Sequence, residues 1–162
     1  MKKVNLLDYL DQQIEKKITD YDVALDWDTK NHAIEIVIRL FAENKSHLEI
    51  DDIEGIASEE EIIEFEDGVL LYDPKKTNFD AEDYLATIPY EGKKGMKKST
   101  IDALISYLND VLADGQSDLL DFLEDTNEDA IFELKWDAEK FADYSKNQEE
   151  KSGGDYYPYP SY

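Results

Sequence analysis

Cysteine is absent from this chain. That excludes disulfides, thiolate metal sites and a cysteine nucleophile, and it fits a reducing compartment. Long apolar runs are absent as well; no stretch approaches the roughly 18 apolar residues of a membrane helix. Met1-Lys2-Lys3 leads into Asp8 and Asp11 rather than an apolar segment, so no signal peptide is expected and the reading is cytoplasmic. Histidine occurs only at His32 and His47. Neither has a carboxylate at a recognisable spacing, and both read as solvated polar residues rather than a general base. Positive charge is scarce: 17 basic residues face 40 acidic ones, a formal net charge of −23. Direct nucleic-acid binding is disfavoured, because each phosphate contact needs Lys or Arg. Anionic membranes are disfavoured for the same reason. A basic protein partner, or mimicry of nucleic acid, stays compatible with that charge, although solubility alone accounts for much of it.

What is present supports a folded α+β domain. At 162 residues with 41% hydrophobic content, the chain can bury a core without staples. Val23, Leu25 and Trp27 alternate with polar residues, and so do Ile34, Ile36, Ile38 and Leu40. Joined by Thr29-Lys30-Asn31-His32, these runs predict a β-hairpin that nucleates the sheet. Before it, Leu7, Leu10, Ile14 and Ile18 predict an amphipathic helix capped by Asn5, with Leu6 and Tyr9 widening its apolar stripe. His47-Leu48-Glu49-Ile50 is a short third strand at most. Asp67-Gly68 lies between Ile62–Glu66 and Val69–Tyr72 and predicts a second, type I′ hairpin.

Further on, Asp80 is expected to cap a short helix, and Ile88 to Gly92 to form a loop. Ser99 or Thr100 should cap a helix ending at Gly115, followed by a shorter helix from Ser117. Ile131–Trp136 reads as a late strand, and Asp137 as the cap of a last helix with Phe141 and Tyr144 inward. The expectation is therefore an antiparallel sheet of about five to six strands, two hairpins plus a late strand. An N-terminal helix and a C-terminal helical segment pack on it. The domain should span residues 1–146, with 147–162 a disordered Gly/Tyr/Pro tail.

Two stretches are candidate binding sites. Lys93, Lys94, Lys97 and Lys98 form a basic island at the start of the predicted helix, the best place for an anion. It departs from a Walker loop, because Lys97 stands where Gly is required. Tyr156, Tyr157, Tyr159 and Tyr162 sit with Pro158 and Pro160 in the tail and could dock a partner in extended form.

Other patterns are weaker. Asp125-Thr126-Asn127-Glu128-Asp129 imitates half an EF-hand, but Ala130 and Trp136 occupy the positions of the required Gly and Glu. A second partial match at Asp110, Asp114, Gly115 and Asp121 fails because position 3 is Leu112, inside a predicted helix. No metal, cofactor or catalytic residue is assigned, and the chain leans away from an enzyme. Asp110, Asp114, Asp118 and Asp121 form an acidic helix row that a DNA mimic could use.

Leu7-Asp8-Tyr9-Leu10, Leu25-Asp26-Trp27-Asp28, Asp67 to Tyr72, Ile88 to Gly95 and Phe132 to Trp136, taken together, resemble an uncharacterised family of small acidic cytosolic proteins of lactobacilli and streptococci. The resemblance spans most of residues 1–146 and implies no activity and no functional residues. The element order is also loosely similar to secretion-chaperone-like domains, which implies a homodimer as one assembly. The leading expectation is an acidic protein-binding or adaptor module. The alternatives are a DNA-mimic regulator of a basic protein, or a small anion binder using Lys93–Lys98.

Overall fold

The computed structural model describes residues 4–43, 50–51, 57–58, 62–124, 134–152 and 155–160. Helix α1, Leu6–Lys17, forms where expected: the Asn5 side chain accepts from the Asp8 N–H, and Leu6, Tyr9, Leu10 and Ile14 are buried. The nucleating hairpin is strands β1, Asp22–Asp28, and β2, Ala33–Glu43, paired antiparallel from Asp22↔Arg39 to Asp28↔Ala33. Two short strands follow, β3 at Ile50–Asp51 and β4 at Ala57–Ser58, paired with each other.

The second hairpin does not form. Ile62–Tyr72 is one continuous strand, β5, paired antiparallel along the whole of β2. A type I′ turn needs φ > 0 at both central residues. Only Gly92 and Gly95 among the described glycines have positive φ, so Gly68 is extended like its neighbours. A Cβ there would lie 2.7 Å from Glu35 Oε2, so a larger residue would have to push the Glu35 carboxylate aside. The Glu35 side chain lies over Gly68 and occupies the space.

Beyond β5, Asp80 accepts from the Glu82 N–H and caps a 3₁₀ turn, Ala81–Asp83. The expected loop at Ile88 is partly strand β6, Ala86–Pro89, running parallel to β5. The main sheet is thus four-stranded in the order β1-β2-β5-β6, with one parallel edge. A second 3₁₀ turn at Gly92–Lys94 precedes the two-residue strand β7, Met96–Lys97.

Helix α2 runs unbroken from Lys98 to Glu124, so Gly115 does not end it and Ser99 lies inside its first turn. A Cβ on Gly115 would meet Leu134 Cδ2 at 2.2 Å and Leu40 Cδ1 at 3.2 Å. Close packing, rather than a helix stop, explains this glycine. The expected late strand is absent where it is described: Leu134 to Asp137 carries no strand, and 131–133 lies outside the described residues. Asp137 does cap helix α3, Ala138–Ser152, accepting from the N–H groups of Glu139 and Lys140. Trp136, Phe141 and Tyr144 pack around Tyr107 of α2.

The tail from residue 147 is ordered where it is described. Residues 147–152 extend α3, and Tyr156–Tyr157 forms strand β8, antiparallel to β7. Composition suggested disorder because the tail has too few residues to make a core of its own; it instead completes one made elsewhere. Tyr159 is 5% exposed; its ring stacks on Tyr90 at 4.8 Å, and its hydroxyl accepts from Trp27 Nε1 at 2.8 Å. Helix starts leave N–H groups without intrahelical partners. Tail carbonyls fill that role twice: Pro158 O accepts from Leu6 N–H of α1, and Asp155 O from Lys98 N–H of α2.

Inner-face residues of the sheet, α1, α2 and Tyr159 form one hydrophobic cluster. Among the described residues, the opposite face of the sheet is only partly covered. Residues 73–85 cross one end of it, where Phe79 packs on Tyr72 and Asn31 and Asn78 exchange two hydrogen bonds.

Candidate functional site

The strand period of two sorts the hairpin's charges by face. Ile34, Ile36, Ile38 and Leu40 point into the core, so Glu35, Val37, Arg39 and Phe41 share the outer face. Register sets Asp26 opposite Glu35, and Asp22 and Glu66 on either side of Arg39. The result is an acidic surface with an apolar middle. Ala24 and Val37 lie at its centre, Phe41 is 44% exposed, and Asp22, Asp26, Glu35, Glu64 and Glu66 surround them.

Arg39 is the cation within this surface. Its Nε lies 2.9 Å from Glu66 Oε2 and 3.4 Å from Glu64 Oε1, and its Nη1 3.6 Å from Asp22 Oδ2. These pairs are exposed and add little to stability. Glu35 carries the electrostatic consequence. Partial burial, then Asp26, Glu66 and Asp67, raise its carboxyl above the ordinary value. Asp67 is itself raised by burial, against the N–H groups of Gly68 and Leu85, which favour its charged form. Tyr84, beside Glu35, is raised by burial and then by Glu35, Asp83 and Asp28.

The lysine island and the tyrosine tail, read separately in the sequence, meet in space. Lys94 Nζ stands 4.1 Å over the Tyr156 ring, and Lys97 Nζ 6.0 Å from it. Lys97 pairs with Glu149 at 3.3 Å and Lys98 with Asp102 at 2.8 Å. Tyr157 stacks on Tyr9 at 4.1 Å, and Tyr159 N–H donates to Lys93 O. These rings are engaged with the chain itself. Tyr162, with them a candidate for docking, lies outside the described residues, as do His47 and the Asp125–Asp129 motif. Asp110, Asp114, Gly115 and Asp121 lie on one helix, not in a cation-binding loop, and Asp110 accepts from Tyr144 OH. Among the described residues, no cluster of three His, Cys, Asp or Glu side chains is placed to hold a metal ion.

His32 is more than a solvated turn residue. Its φ of +52° closes the β1–β2 turn, and its carbonyl accepts from Thr77 Oγ1 and from Tyr90 OH.

A family described as a protein of unknown function, DUF3013, matches residues 1–161. The chain belongs to this family. A solved structure, described as a conserved protein of unknown function from Enterococcus faecalis, is similar over 99% of this chain and 98% of its own, at 50% identity and a TM-score of 0.91. No curated protein matches. The DUF3013 match runs through Tyr159, so it includes the docked tail. Among the described residues, no helix is long and apolar enough to cross a membrane.

Sequence reasoning missed the acidic sheet face in this DUF3013 chain. The signal was available: within a hairpin of known register, Asp22, Asp26, Glu35 and Arg39 all fall on the face opposite the isoleucines. Glu66 was hidden because its strand was read as folded back on itself.

Proposed function

We propose that this protein is a binding module whose outer sheet face receives a basic segment of a protein partner. The observation that carries the reading is Glu35. Its carboxyl is raised first by burial and then by the like charges of Asp26, Glu66 and Asp67, which strand register holds beside it, with Arg39 as a cation among them. A Lys- or Arg-bearing partner would relieve that repulsion, while Val37 and Phe41 offer apolar contact inside a charged rim. Electrostatic recognition of this kind acts mostly on association rate and specificity and weakens with salt.

The test combines capture with titration. Full-length protein is used to capture partners from native cytosol beside a variant carrying Asp26→Asn, Glu35→Gln and Glu66→Gln, with Asp118→Asn on α2 as control. A basic protein retained by wild type and control, released by salt and lost from the triple variant, is the expected result. In that complex the Glu35 carboxyl, followed by NMR, should return toward its ordinary value. A partner held equally by the triple variant would sink the reading. Competition by duplex DNA for the same partner would make the face a nucleic-acid mimic.

A further inference from the structure

We infer that a second, chemically opposite site lies among the helices: a cleft that binds a small organic phosphate. The cleft encloses about 520 Å³ and is lined by Tyr9, Gln13, Lys16 and Lys17 of α1, by Lys98, Asp102, Ile105, Ser106 and Asn109 of α2, and by Gln148 of α3. Three lysines thus line one cleft with a single carboxylate among the lining residues, in a chain whose net charge is −23.

The partners of these groups separate structural from available charge. Lys98 is committed: Asp102 holds it at 2.8 Å, and the same carboxylate accepts from Tyr9 OH. Lys16 and Lys17 enter no ion pair among the described residues. The amides of Gln13, Asn109 and Gln148 and the Ser106 hydroxyl add neutral donors around the same space. Ile105 and the Tyr9 ring supply an apolar wall, as small-ligand sites commonly do.

The chemistry favours phosphate over carboxylate. Planar carboxylates are best held by the arginine fork, and this cleft has none; lysine holds phosphate as a point charge. The protein's overall negative field does not forbid the site, because charges beyond about 8 Å are largely screened at physiological salt. The sequence disguised it. Lys16 and Lys17 read as ordinary helix-end lysines, and only the packing of α1 on α2 makes them and Lys98 part of one cleft lining.

Binding is measured by calorimetry and thermal shift, using adenosine 5′-monophosphate, glucose 6-phosphate and inorganic phosphate at constant ionic strength. The full-length protein is compared with Lys16→Gln/Lys17→Gln and with the control Lys30→Gln/Lys75→Gln. Lys16 and Lys17 are exposed, so the double variant should keep its fold, checked by circular dichroism. The expected result is saturable binding of an organic phosphate, weakened about tenfold or more in the Lys16/Lys17 variant, as loss of a charge-assisted hydrogen bond requires. It should be unchanged in the control, and the side-chain amides of Gln13, Asn109 and Gln148 should shift in NMR spectra. Binding of inorganic phosphate as tight as that of the organic phosphates would reduce the site to a simple anion site and overturn the ligand class. No saturable binding, or equal binding by both variants, would overturn the site.

Discussion

Glu35 is the residue at which neighbouring charge is most clearly felt. Burial and then Asp26, Glu66 and Asp67 raise its carboxyl, so the fold holds this proton more tightly than the unfolded chain does. The sign follows by linkage: a raised acid costs stability when ionised. That cost is absent below the ordinary glutamate value near ~4.3. It is complete once the pH has risen through the raised native value. Glu35→Gln keeps the volume over Gly68 and removes the charge. Thermal unfolding should show the variant more stable than wild type at pH 7. The gain belongs at the low end of the roughly 0.2–1 kcal/mol typical of cross-strand charge pairs, because the site is largely solvated. The gap should close as the pH falls toward 4. A gap that is constant with pH would mean that packing, not charge, sets the difference. Tyr9 behaves differently. Burial, then the hydrogen bond to Asp102, push its phenol up to about 12, so it stays protonated through the neutral range.

Among the elements, the tail strand β8 depends most on a single backbone position. Gly95 has φ +78°, and a Cβ on it would lie 1.9 Å from the Tyr157 carbonyl oxygen. An L side chain is therefore excluded twice, by conformation and by contact. Gly95→Ala should cost at least the roughly 1–3 kcal/mol of a strained backbone, with the loss of tail contacts added. It should also release the tail. Trp27 reports on this directly, since its Nε1 donates to Tyr159 OH. The expected outcome is a lower unfolding temperature, a changed tryptophan emission and faster proteolysis after Ser152. An unchanged emission would show that the tail docks without β7. The same element shows why local signals mislead. Asp67-Gly68 carries a strong turn signature, and Gly115 an ordinary helix-stop signature. Gly68 instead lies in a continuous strand beneath the Glu35 side chain, and Gly115 packs against Leu134 and Leu40, all distant in sequence.

For the whole molecule, net charge dominates. A charge of −23 on a chain of this size repels itself in the compact state. Salt shortens the reach of that repulsion, from about 30 Å at 0.01 M to about 3 Å at 1 M. The unfolding temperature should therefore rise as sodium chloride is raised from ~0.01 M toward ~0.5 M. Of the ion pairs described, those of Arg39 and Lys97 are exposed and Lys98–Asp102 is half-buried, too few to reverse this. A falling unfolding temperature would assign them a larger role than their exposure allows. Measured together with binding of a basic partner, the two salt dependences should run in opposite directions: the free fold gains from salt, and the complex loses.

Hydrophobic period and local chemistry specify part of this fold along the chain alone. Alternation in Val23–Leu40 specifies the β1–β2 hairpin, and 3–4 spacing with Asn5 and Asp137 specifies the starts of α1 and α3. Composition specified the acidity, and the mix of alternating and 3–4-spaced segments the α+β class. Each of these depends on neighbours within a few residues, so it is legible along the chain. The tertiary structure decided what depends on residues meeting from far apart. It straightened β5 across Gly68, carried α2 through Gly115, and laid the tail against Tyr9, Trp27 and Tyr90. It also placed Glu66 beside Arg39 on the sheet, and brought Lys16, Lys17 and Lys98 into the lining of one cleft. Whether a glycine turns a chain or makes room, and whether a lysine ends a helix or lines a cleft, is fixed by what packs against it.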